Sequence, residues 1–160
     1  MADVIVNTSS LQYLHLVGQL DLFPKLFGRI IVSEAVVAEI AAGRRLGLSL
    51  PEPEALAWID VRRPTSPAAA LLAWELGAGE SAVLSLALEN PGSWVVLDDK
   101  MARPAAVHLN LPLLGTAGIL LRAKQAGHLQ ALRPVLNQSA ALRFRLTPET
   151  VRIILDLARE

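Results

Sequence analysis

Residues 79–99, GESAVLSLALENPGSWVVLDD, place a helix, a turn and a buried strand in immediate succession. The apolar residues of the first half recur at helical spacing, and the Asn-Pro-Gly sequence at 90–92 ends that pattern. The run Trp-Val-Val-Leu at 94–97 is apolar throughout, which is typical of a parallel strand buried on both faces. Asp98 and Asp99 end the run. The stretch therefore predicts part of a parallel sheet, with two carboxylates after the carboxyl end of one strand.

The alternation of strand and helix continues on both sides of this stretch. Short apolar or β-branched runs predict further strands, and apolar residues at helical spacing predict the helices between them. Such an alternation favours a parallel doubly wound sheet, and so an α/β fold with three layers, α/β/α. We predict strands at 3–7, 29–32, 58–61, 94–97 and 113–114, and helices after residues 8–10 and at 21–27, 33–43, 68–76, 80–89, 101–109 and 115–126.

The boundaries of the helix after the second strand rest on two residues. Ser33 has the short hydroxyl side chain of an N-cap, and Gly43 is predicted to stop the helix. Glu39 would then lie near the C-terminal end, where an acid meets the negative end of the helix dipole. That position is unfavourable for helix stability, which favours a functional role for Glu39.

The C-terminal part of the chain looks purely helical from His128 onward. Thr147-Pro148-Glu149 predicts a helix start, because it combines a cap residue, a proline in the first turn and an acid near the positive end of the dipole. We expect an α/β domain at residues 1–127 and a C-terminal helical extension at 128–160 that packs on it. The extension is also a place where a partner would bind, or a lid on the sheet.

Composition limits the class of protein. Of 160 residues 52% are hydrophobic and the mean hydropathy is +0.41, so either the packing is unusually aliphatic or apolar surface is buried against a partner. The lack of cysteine excludes disulfides and thiolate metal sites, and it fits a reducing compartment. Fifteen basic and fifteen acidic residues cancel, so nucleic-acid binding would have to come from a local patch.

Targeting signals are not evident. No uninterrupted apolar run reaches the length that spans a membrane. The first ten residues, MADVIVNTSS, lack a basic segment and contain only a short apolar stretch, so they indicate a strand and not a signal peptide. We therefore expect a cytoplasmic protein that does not associate with membranes.

Polar side chains follow two of the predicted strands. The first strand ends in Asn7, and the strand at 94–97 ends in Asp98 and Asp99. Ligands of open parallel sheets bind at this carboxyl edge. Two adjacent carboxylates repel each other and attract a cation, and Mg²⁺ or Mn²⁺ prefers oxygen ligands of this kind. The alternative is that Asp98 and Asp99 only cap the next helix.

Two glutamates are further candidates for the same site. Glu80 lies in the first turn of its helix, where an acid also has the simpler role of complementing the helix dipole. Glu39 is the second candidate. Its alternative role is that of a solvated surface residue, in which case Glu34 would take its place in the site. Neither glutamate by itself identifies a functional site.

Five segments together resemble PIN domains, most closely the short VapC-type PIN proteins of bacteria and archaea. The resemblance runs over roughly residues 3–126, and its most specific part is the stretch from Gly77 to Asp99 followed by the last segment. It implies a parallel sheet with helices on both sides. The segments are VIVNTSSLQYL, IIVSEAVVAEI, GAGESAVLSLAL, VVLDDKMAR and GTAGILLRAK.

Many PIN domains are Mg²⁺- or Mn²⁺-dependent ribonucleases, and many bacterial members are toxins neutralised by a small antitoxin. The resemblance therefore implies an endoribonuclease with an RNA substrate, an antitoxin partner and a homodimeric state. By motif, the catalytic and metal-binding acids are Glu39, Glu80 and Asp98 or Asp99. Asn7 falls on the position of the first-strand acid and would be a further metal ligand.

Asn7 departs from the family pattern, because asparagine offers a metal a carbonyl oxygen but no charge. A second hypothesis follows: a PIN-like domain without nuclease activity that binds RNA or a protein. A third is a phosphoacceptor domain, which also has paired acids at strand ends. That class needs an acceptor aspartate on a central strand and a downstream lysine, and no convincing pair is found.

Residues near the acidic cluster are candidates for RNA binding. Lys100 and Arg103 would hold the phosphate backbone, Ser9 is a hydroxyl residue near the first-strand position, and Thr116 would face the pocket. Solvated helix surface is the alternative for both cations. The three histidines lack metal-binding spacing, and we expect each to be half-buried and structural: His15, His108 and His128.

Overall fold

The computed structural model of the protein describes residues 2–65, 68–141 and 146–160. Its centre is a sheet of five parallel strands in the order β3-β2-β1-β4-β5. The predicted parallel α/β fold is therefore confirmed. The strands are β1 (Val4–Val6), β2 (Ile30–Ser33), β3 (Ile59–Arg62), β4 (Trp94–Val96) and β5 (Leu113–Leu114).

Helices connect the strands and follow the last of them. The α-helices are α1 (Thr8–Leu16), α2 (Leu22–Phe27), α3 (Glu34–Arg45), α4 (Ala78–Glu89), α5 (Ala102–His108), α6 (Thr116–Gln125), α7 (Arg133–Ala141) and α8 (Pro148–Leu157). Two short 3₁₀ turns lie at Pro53–Ala55 and Ala69–Leu71. Within the described ranges, no helix has both the length and the apolar character needed to cross a membrane.

The order of the strands creates a switch point beside the central strand, β1. Ile5 of β1 pairs with Ile31 of β2 on one side and with Val95 of β4 on the other. The chain first builds from β1 through β2 to β3, and then returns to the other side of β1 for β4 and β5. Helices pack on the sheet and on each other: α4 packs across β1, β2 and β4, and helices of the two halves are in contact, α3 with α4 and α6 with α1 and α2. The gap between the ends of β1 and β4 is where sheets of this type bind ligands.

The core is aliphatic and lies around β1 and β4. Val4, Ile5 and Val6 are buried, as are the last residues of β4, because α4 packs across β1, β2 and β4. Tyr13 and Phe23 are the aromatic rings among the largest fully buried side chains, and the others are leucine and isoleucine. Burial on both faces explains why β4 is an unbroken apolar run.

The predicted end of α3 at Gly43 is wrong. The helix continues to Arg45, and Gly43 keeps helical geometry inside it. A Cβ added at Gly43 would lie 2.5 Å from Cδ1 of the buried Leu50, so glycine serves close packing against the following loop and not helix termination. Glu39 therefore lies in the middle of α3, and the argument from an unfavourable position at the helix end does not apply.

The predicted helix at 68–76 is also wrong. The described residues there form only the 3₁₀ turn, after which Trp74 N–H donates to the Leu71 carbonyl at 3.0 Å. Leu71 is buried whereas Leu72 is 83% exposed, so only part of this apolar segment packs against the core. The next helix begins at Ala78 with Gly77 as its N-cap, two residues before the predicted start at Glu80.

Two predicted helix caps are confirmed. The Ser33 hydroxyl accepts a hydrogen bond from the Val36 N–H at 3.1 Å at the start of α3. The Thr147 hydroxyl accepts one from the Thr150 N–H at 3.2 Å at the start of α8. Each satisfies one N–H of the first helical turn, which otherwise has no partner in the helix.

One carboxylate joins the three C-terminal helices. Lys124 Nζ of α6 donates to the Ala158 carbonyl and to Glu160 Oε2, both at 2.8 Å. The Glu160 carboxylate also accepts the N–H groups of Leu132 and Arg133 at the start of α7, at 2.7 and 3.3 Å. The hydrogen bonds from Lys124 and then from the Leu132 N–H lower the pKa of Glu160 to about 2. Glu160 thus links α6, the start of α7 and the residues after α8.

Candidate functional site

Asn7 lies at the switch point, directly after β1. It is the N-cap of α1, and its N–H donates to the Val96 carbonyl at 3.1 Å. The side chain is 2% exposed, and its Nδ2 donates to Glu80 Oε1 at 3.4 Å. Its Oδ1 is buried and has no hydrogen-bond partner within the described part of the chain. An unsatisfied buried acceptor is unfavourable by about 1–3 kcal/mol, so a bound cation or water would stabilise this oxygen.

Glu39 reaches the same edge of the sheet from the middle of α3. Its Oε2 accepts a hydrogen bond from the Thr8 hydroxyl at 2.7 Å, and its Oε1 accepts the Gly79 N–H at 3.0 Å. The carboxylate is therefore held between the starts of α1 and α4. A Cβ added at Gly79 would lie 2.6 Å from Glu39 Oε1, so this arrangement needs glycine.

Glu80 joins Glu39 and Asn7 into one group. It lies in the first turn of α4, as predicted, and is half-buried. Its Oε1 accepts the hydrogen bond from Asn7, and its neighbour Gly79 donates to Glu39. The N-terminal end of α4 therefore faces two carboxylates, which its positive dipole end stabilises.

Asp98 is fixed by hydroxyl and backbone donors from two helices. Its Oδ1 accepts the Thr116 N–H at 2.9 Å at the start of α6. Its Oδ2 accepts the Ser10 hydroxyl at 3.1 Å and also the Thr116 hydroxyl. Ser10 and Thr116 are themselves buried and lie 3.1 Å apart, oxygen to oxygen. These contacts orient the Asp98 carboxylate at the carboxyl end of β4.

Asp99 has a different role in the structure. Its Oδ1 accepts the N–H groups of Met101 and Ala102, at 2.8 and 3.0 Å, and so caps the start of α5. The side chain is exposed. Of the predicted pair, Asp98 faces the hydroxyl groups at the sheet edge. Asp99 caps the next helix, which was the alternative role considered for the two residues.

The residues predicted to bind RNA separate into two groups. Thr116, Lys100 and Arg103 line one cavity of about 520 Å³ together with Asp98. Arg103 Nη1 donates to the Leu97 carbonyl at 2.7 Å, which holds the guanidinium near the end of β4. Ser9, in contrast, has a buried hydroxyl without a partner in the described residues, and it is not among the residues that line this cavity.

Tyr13 also lines the cavity beside Asp98. Burial raises the pKa of its phenol above the ordinary value, a hydrogen bond with Ser139 lowers it, and the charge of Asp98 raises it. The net shift is upward, so the phenol is neutral at physiological pH. A neutral phenol next to a carboxylate adds no negative charge to the cavity.

The expectation of three half-buried histidines is wrong for two of them. His108 and His128 are exposed. Only His15 is half-buried, and its Nε2 lies 3.2 Å from the Ser49 hydroxyl. Helical spacing in an apolar context did not distinguish the buried face of α5 from its exposed face, where His108 lies.

The side chains at the switch point fit a hard divalent cation in their chemistry. Asn7, Glu39, Glu80 and Asp98 offer only oxygen, as Mg²⁺ and Mn²⁺ prefer, and the unsatisfied Asn7 Oδ1 is a ready ligand. Among residues 2–65, 68–141 and 146–160, however, no three or more Asp, Glu or His side chains already lie grouped as a metal site. Each carboxylate keeps acceptor sites that its present donors do not use, so a metal ion could bind it without breaking those hydrogen bonds.

Comparison with known families identifies the family of the chain. A PIN domain family model matches residues 3–160. The chain belongs to the PIN domain family. A search of curated proteins gives no significant match. The PIN domain match extends beyond residue 126, where the resemblance read from the sequence ended, and includes α7 and α8.

Three contributors to the site of this PIN domain were missed from sequence. Thr8 and Ser10 are predicted only to precede the first helix, although each donates to a carboxylate from a distant part of the chain. Gly79 is predicted to lie just outside the helix at 80–89, although its N–H donates to Glu39. The available signal was position, because Thr8 and Ser10 lie in the first turn after the strand that ends in Asn7, at the edge of the sheet where ligands bind.

Gly79→Ala is expected to lower the free energy of unfolding by about 0.5–2 kcal/mol and to impair the site. Alanine is favoured over glycine in a helix by about 1 kcal/mol. That gain is offset by the lost hydrogen bond to the displaced Glu39 carboxylate, a loss of about 1.5–3 kcal/mol. Thermal unfolding and Mn²⁺ affinity would be measured together, and we expect about tenfold weaker Mn²⁺ binding.

The Glu39→Ala background is the control for this prediction. If Gly79→Ala acts through the Glu39 carboxylate, it should stabilise the protein there by the full helix-propensity difference and have no further effect on Mn²⁺ affinity. An equal loss of affinity in both backgrounds would show that the added methyl group acts elsewhere.

Proposed function

We propose that this PIN domain is a metal-dependent endoribonuclease, with Mg²⁺ or Mn²⁺ held at the switch point between β1 and β4. The ligands would be Glu39, Glu80, Asp98 and the carbonyl oxygen of Asn7. The single observation that carries the proposal is the buried Asn7 Oδ1, which lacks a partner among the described residues and adjoins Glu80. A metal ion would satisfy that oxygen.

The residues around the carboxylates have positioning roles in this proposal. Thr8 and Gly79 hold Glu39, and Thr116 holds Asp98 by two hydrogen bonds. These contacts reduce the freedom of the carboxylates before any ligand arrives, which lowers the entropy lost on binding. When bound, the ion would supply an activated water and neutralise the charge of the phosphate.

Lys100 and Arg103 would hold the phosphate backbone of the RNA. Both line the cavity that contains Asp98, and the Leu97 carbonyl fixes Arg103. Because the chain has no net charge, this local pair supplies the attraction that the overall composition lacks. Phosphate contacts of this kind position a strand without reading its sequence.

A second function is favoured by the same Asn7. A neutral ligand in place of an acid reduces the charge available to hold a metal ion. The carboxylates of the described residues are also paired with protein donors and not grouped as a metal site. A PIN domain of this composition would act by binding RNA or a protein without cleaving it.

The finer biological role that we propose is that of a cytoplasmic toxin, neutralised by a small antitoxin and assembled as a homodimer. Apolar side chains after α3 support a protein partner, because Leu46 is 83% exposed and Leu48 is 51% exposed. Light scattering that reports a monomer at working concentrations would contradict the homodimer.

The proposed activity is tested by incubating the purified protein with structured RNA in Mn²⁺ or in EDTA. We expect cleavage in Mn²⁺, none in EDTA, and recovery when Mn²⁺ is added in excess. Glu80→Gln prepared in parallel should be inactive, whereas Glu75→Gln, which changes an exposed acid before α4, should retain activity. Cleavage that survives EDTA or Glu80→Gln would rule out the metal mechanism.

A further inference from the structure

A second cavity, of about 670 Å³, adjoins the cavity that contains Asp98. The two share three lining residues, Lys100, Arg103 and Leu113. One surface therefore leads from Asp98, past two cations, to the far wall of the second cavity, where Trp74 lies. Its volume is within the range of pockets that bind small molecules or single nucleotides.

Two aromatic side chains meet in this second cavity. The rings of Trp74 and His108 have centroids 5.9 Å apart and planes inclined by 53°. Trp74 is half-buried, His108 is exposed, and both line the cavity. Ring faces that remain accessible in a cavity are suitable for stacking with a flat apolar ligand.

The cations between the two cavities are available for a ligand. Within the part of the chain that the structure describes, neither Lys100 nor Arg103 forms an ion pair with an acid. Arg103 lies close to the Asp98 side, since a Cβ added at Gly115 would be 3.1 Å from Arg103 Nη1 and 3.0 Å from Asp98 Oδ1. Cations next to accessible rings are the combination by which proteins hold single-stranded nucleic acid.

We propose that the second cavity binds an unpaired nucleobase of the RNA strand, stacked on Trp74 and His108, while Lys100 and Arg103 hold the adjacent phosphates. The identity of the ligand rests on the proposed ribonuclease function. The strand would run from the base in this cavity to the phosphate at Asp98. The site would therefore favour single-stranded segments, because a base paired in a duplex is not free to stack on Trp74.

A protein partner is the competing occupant. Met101 and Val107 of the same region are 61% and 65% exposed, and apolar exposure of this size occurs at protein interfaces. The two unpaired cations favour phosphate as the ligand, because a purely apolar interface would leave them without a counter-charge. Self-association through this surface is an outcome that the test below detects.

The test measures binding in EDTA, where no cleavage occurs, by fluorescence anisotropy. The first probe is a labelled oligoadenylate of about 12 nucleotides, a length within the range that single-strand-binding domains cover. The second is an abasic ribose-phosphate oligomer of the same length. Trp74→Leu is expected to weaken binding of the oligoadenylate about tenfold and to leave the abasic oligomer unchanged. His108→Ala, an exposed change that leaves the core intact, should show the same selectivity with a smaller, severalfold effect.

Matched controls lie at the opposite, amino-terminal edge of the sheet. Trp94→Leu changes a second half-buried tryptophan at the start of β4, and Arg29→Gln changes an exposed cation just before β2. Neither should alter binding of either oligomer, whereas Lys100→Gln should weaken both.

Several results would overturn the inference. The first is an oligoadenylate affinity that is unchanged in both Trp74→Leu and His108→Ala. The second is an equal loss of affinity for the two oligomers. The third is a Trp74→Leu variant whose only change is in the sedimentation of the protein without RNA, which would indicate self-association through this surface. The inference and the nuclease proposal fail separately. Selective base binding without cleavage in Mn²⁺ contradicts only the nuclease, and Mn²⁺-dependent cleavage with no effect of Trp74 or His108 contradicts only the base site.

Discussion

Replacement of Asp98 by Asn is expected to lower the rate of RNA cleavage by at least about 100-fold while the protein stays folded. The amide keeps the shape of the side chain, but it removes a negative charge and replaces one acceptor oxygen by an NH₂ donor. The remaining carbonyl oxygen would accept the Thr116 N–H, and the NH₂ group would face the Ser10 and Thr116 hydroxyls, which can turn to accept from it. Cleavage of structured RNA in Mn²⁺ is the measurement, with thermal unfolding beside it.

Asp99→Asn is the matched control, because it makes the same chemical change at the next residue. Asp99 accepts two N–H groups at the start of α5. Asparagine caps a helix about as well, so the replacement should remove only the charge–dipole stabilisation, about 0.3–1 kcal/mol, and preserve most activity. Expression of the parent, but not of Asp98→Asn, should arrest bacterial growth if the protein is a toxin. Equal loss of activity in the two variants would contradict the separate roles assigned to the pair.

Asn7→Asp is the second change with a large expected effect, and it should raise RNA cleavage where Asp98→Asn lowers it. It adds a carboxylate beside Glu80 and removes the Nδ2 donor that Glu80 now accepts. In EDTA the buried charge has no partner, so the free energy of unfolding should fall by about 1–3 kcal/mol or more. With Mn²⁺ the added charge should tighten metal binding about tenfold and raise cleavage. Thermal unfolding with and without Mn²⁺ measures both effects.

The control for Asn7→Asp is Asn137→Asp, which adds the same charge at an exposed position of α7. Its unfolding temperature should not respond to Mn²⁺ beyond that of the parent. If Asn7→Asp is destabilised in EDTA and Mn²⁺ does not restore it, position 7 is no metal ligand. Activity that appears only in Asn7→Asp would instead identify the parent as a PIN domain that binds without cleaving.

The sheet was predictable because its strands are buried on both faces. Central parallel strands are continuous apolar runs, and polar residues mark where each ends, as Asn7 and Asp98 do here. The prediction of the carboxyl edge as a site follows from the same pattern. Helix boundaries were harder to predict where glycine was involved. Gly43 and Gly79 lie inside helices, and glycine is present there because a Cβ would meet the Leu50 and Glu39 side chains, which is a tertiary property.

The environment of each acid was not predictable from local sequence. Asp98 and Asp99 are chemically identical neighbours, yet one binds hydroxyl groups from α1 and α6 and the other caps α5. The difference depends on the position of Ser10, 88 residues earlier in the chain. The contact between Trp74 and His108 was likewise not predictable, since nothing in their separation along the chain indicates that the two rings meet.

Mn²⁺ binding to the parent protein tests the central proposal most directly, because it needs no choice of RNA. Isothermal titration would compare the parent with Glu80→Gln and Asp98→Asn, and with Glu75→Gln as the control. We predict saturable Mn²⁺ binding by the parent and by Glu75→Gln, weakened at least about tenfold in the two site variants. No saturable binding by the parent, or the same affinity in all four proteins, would contradict a metal site between β1 and β4.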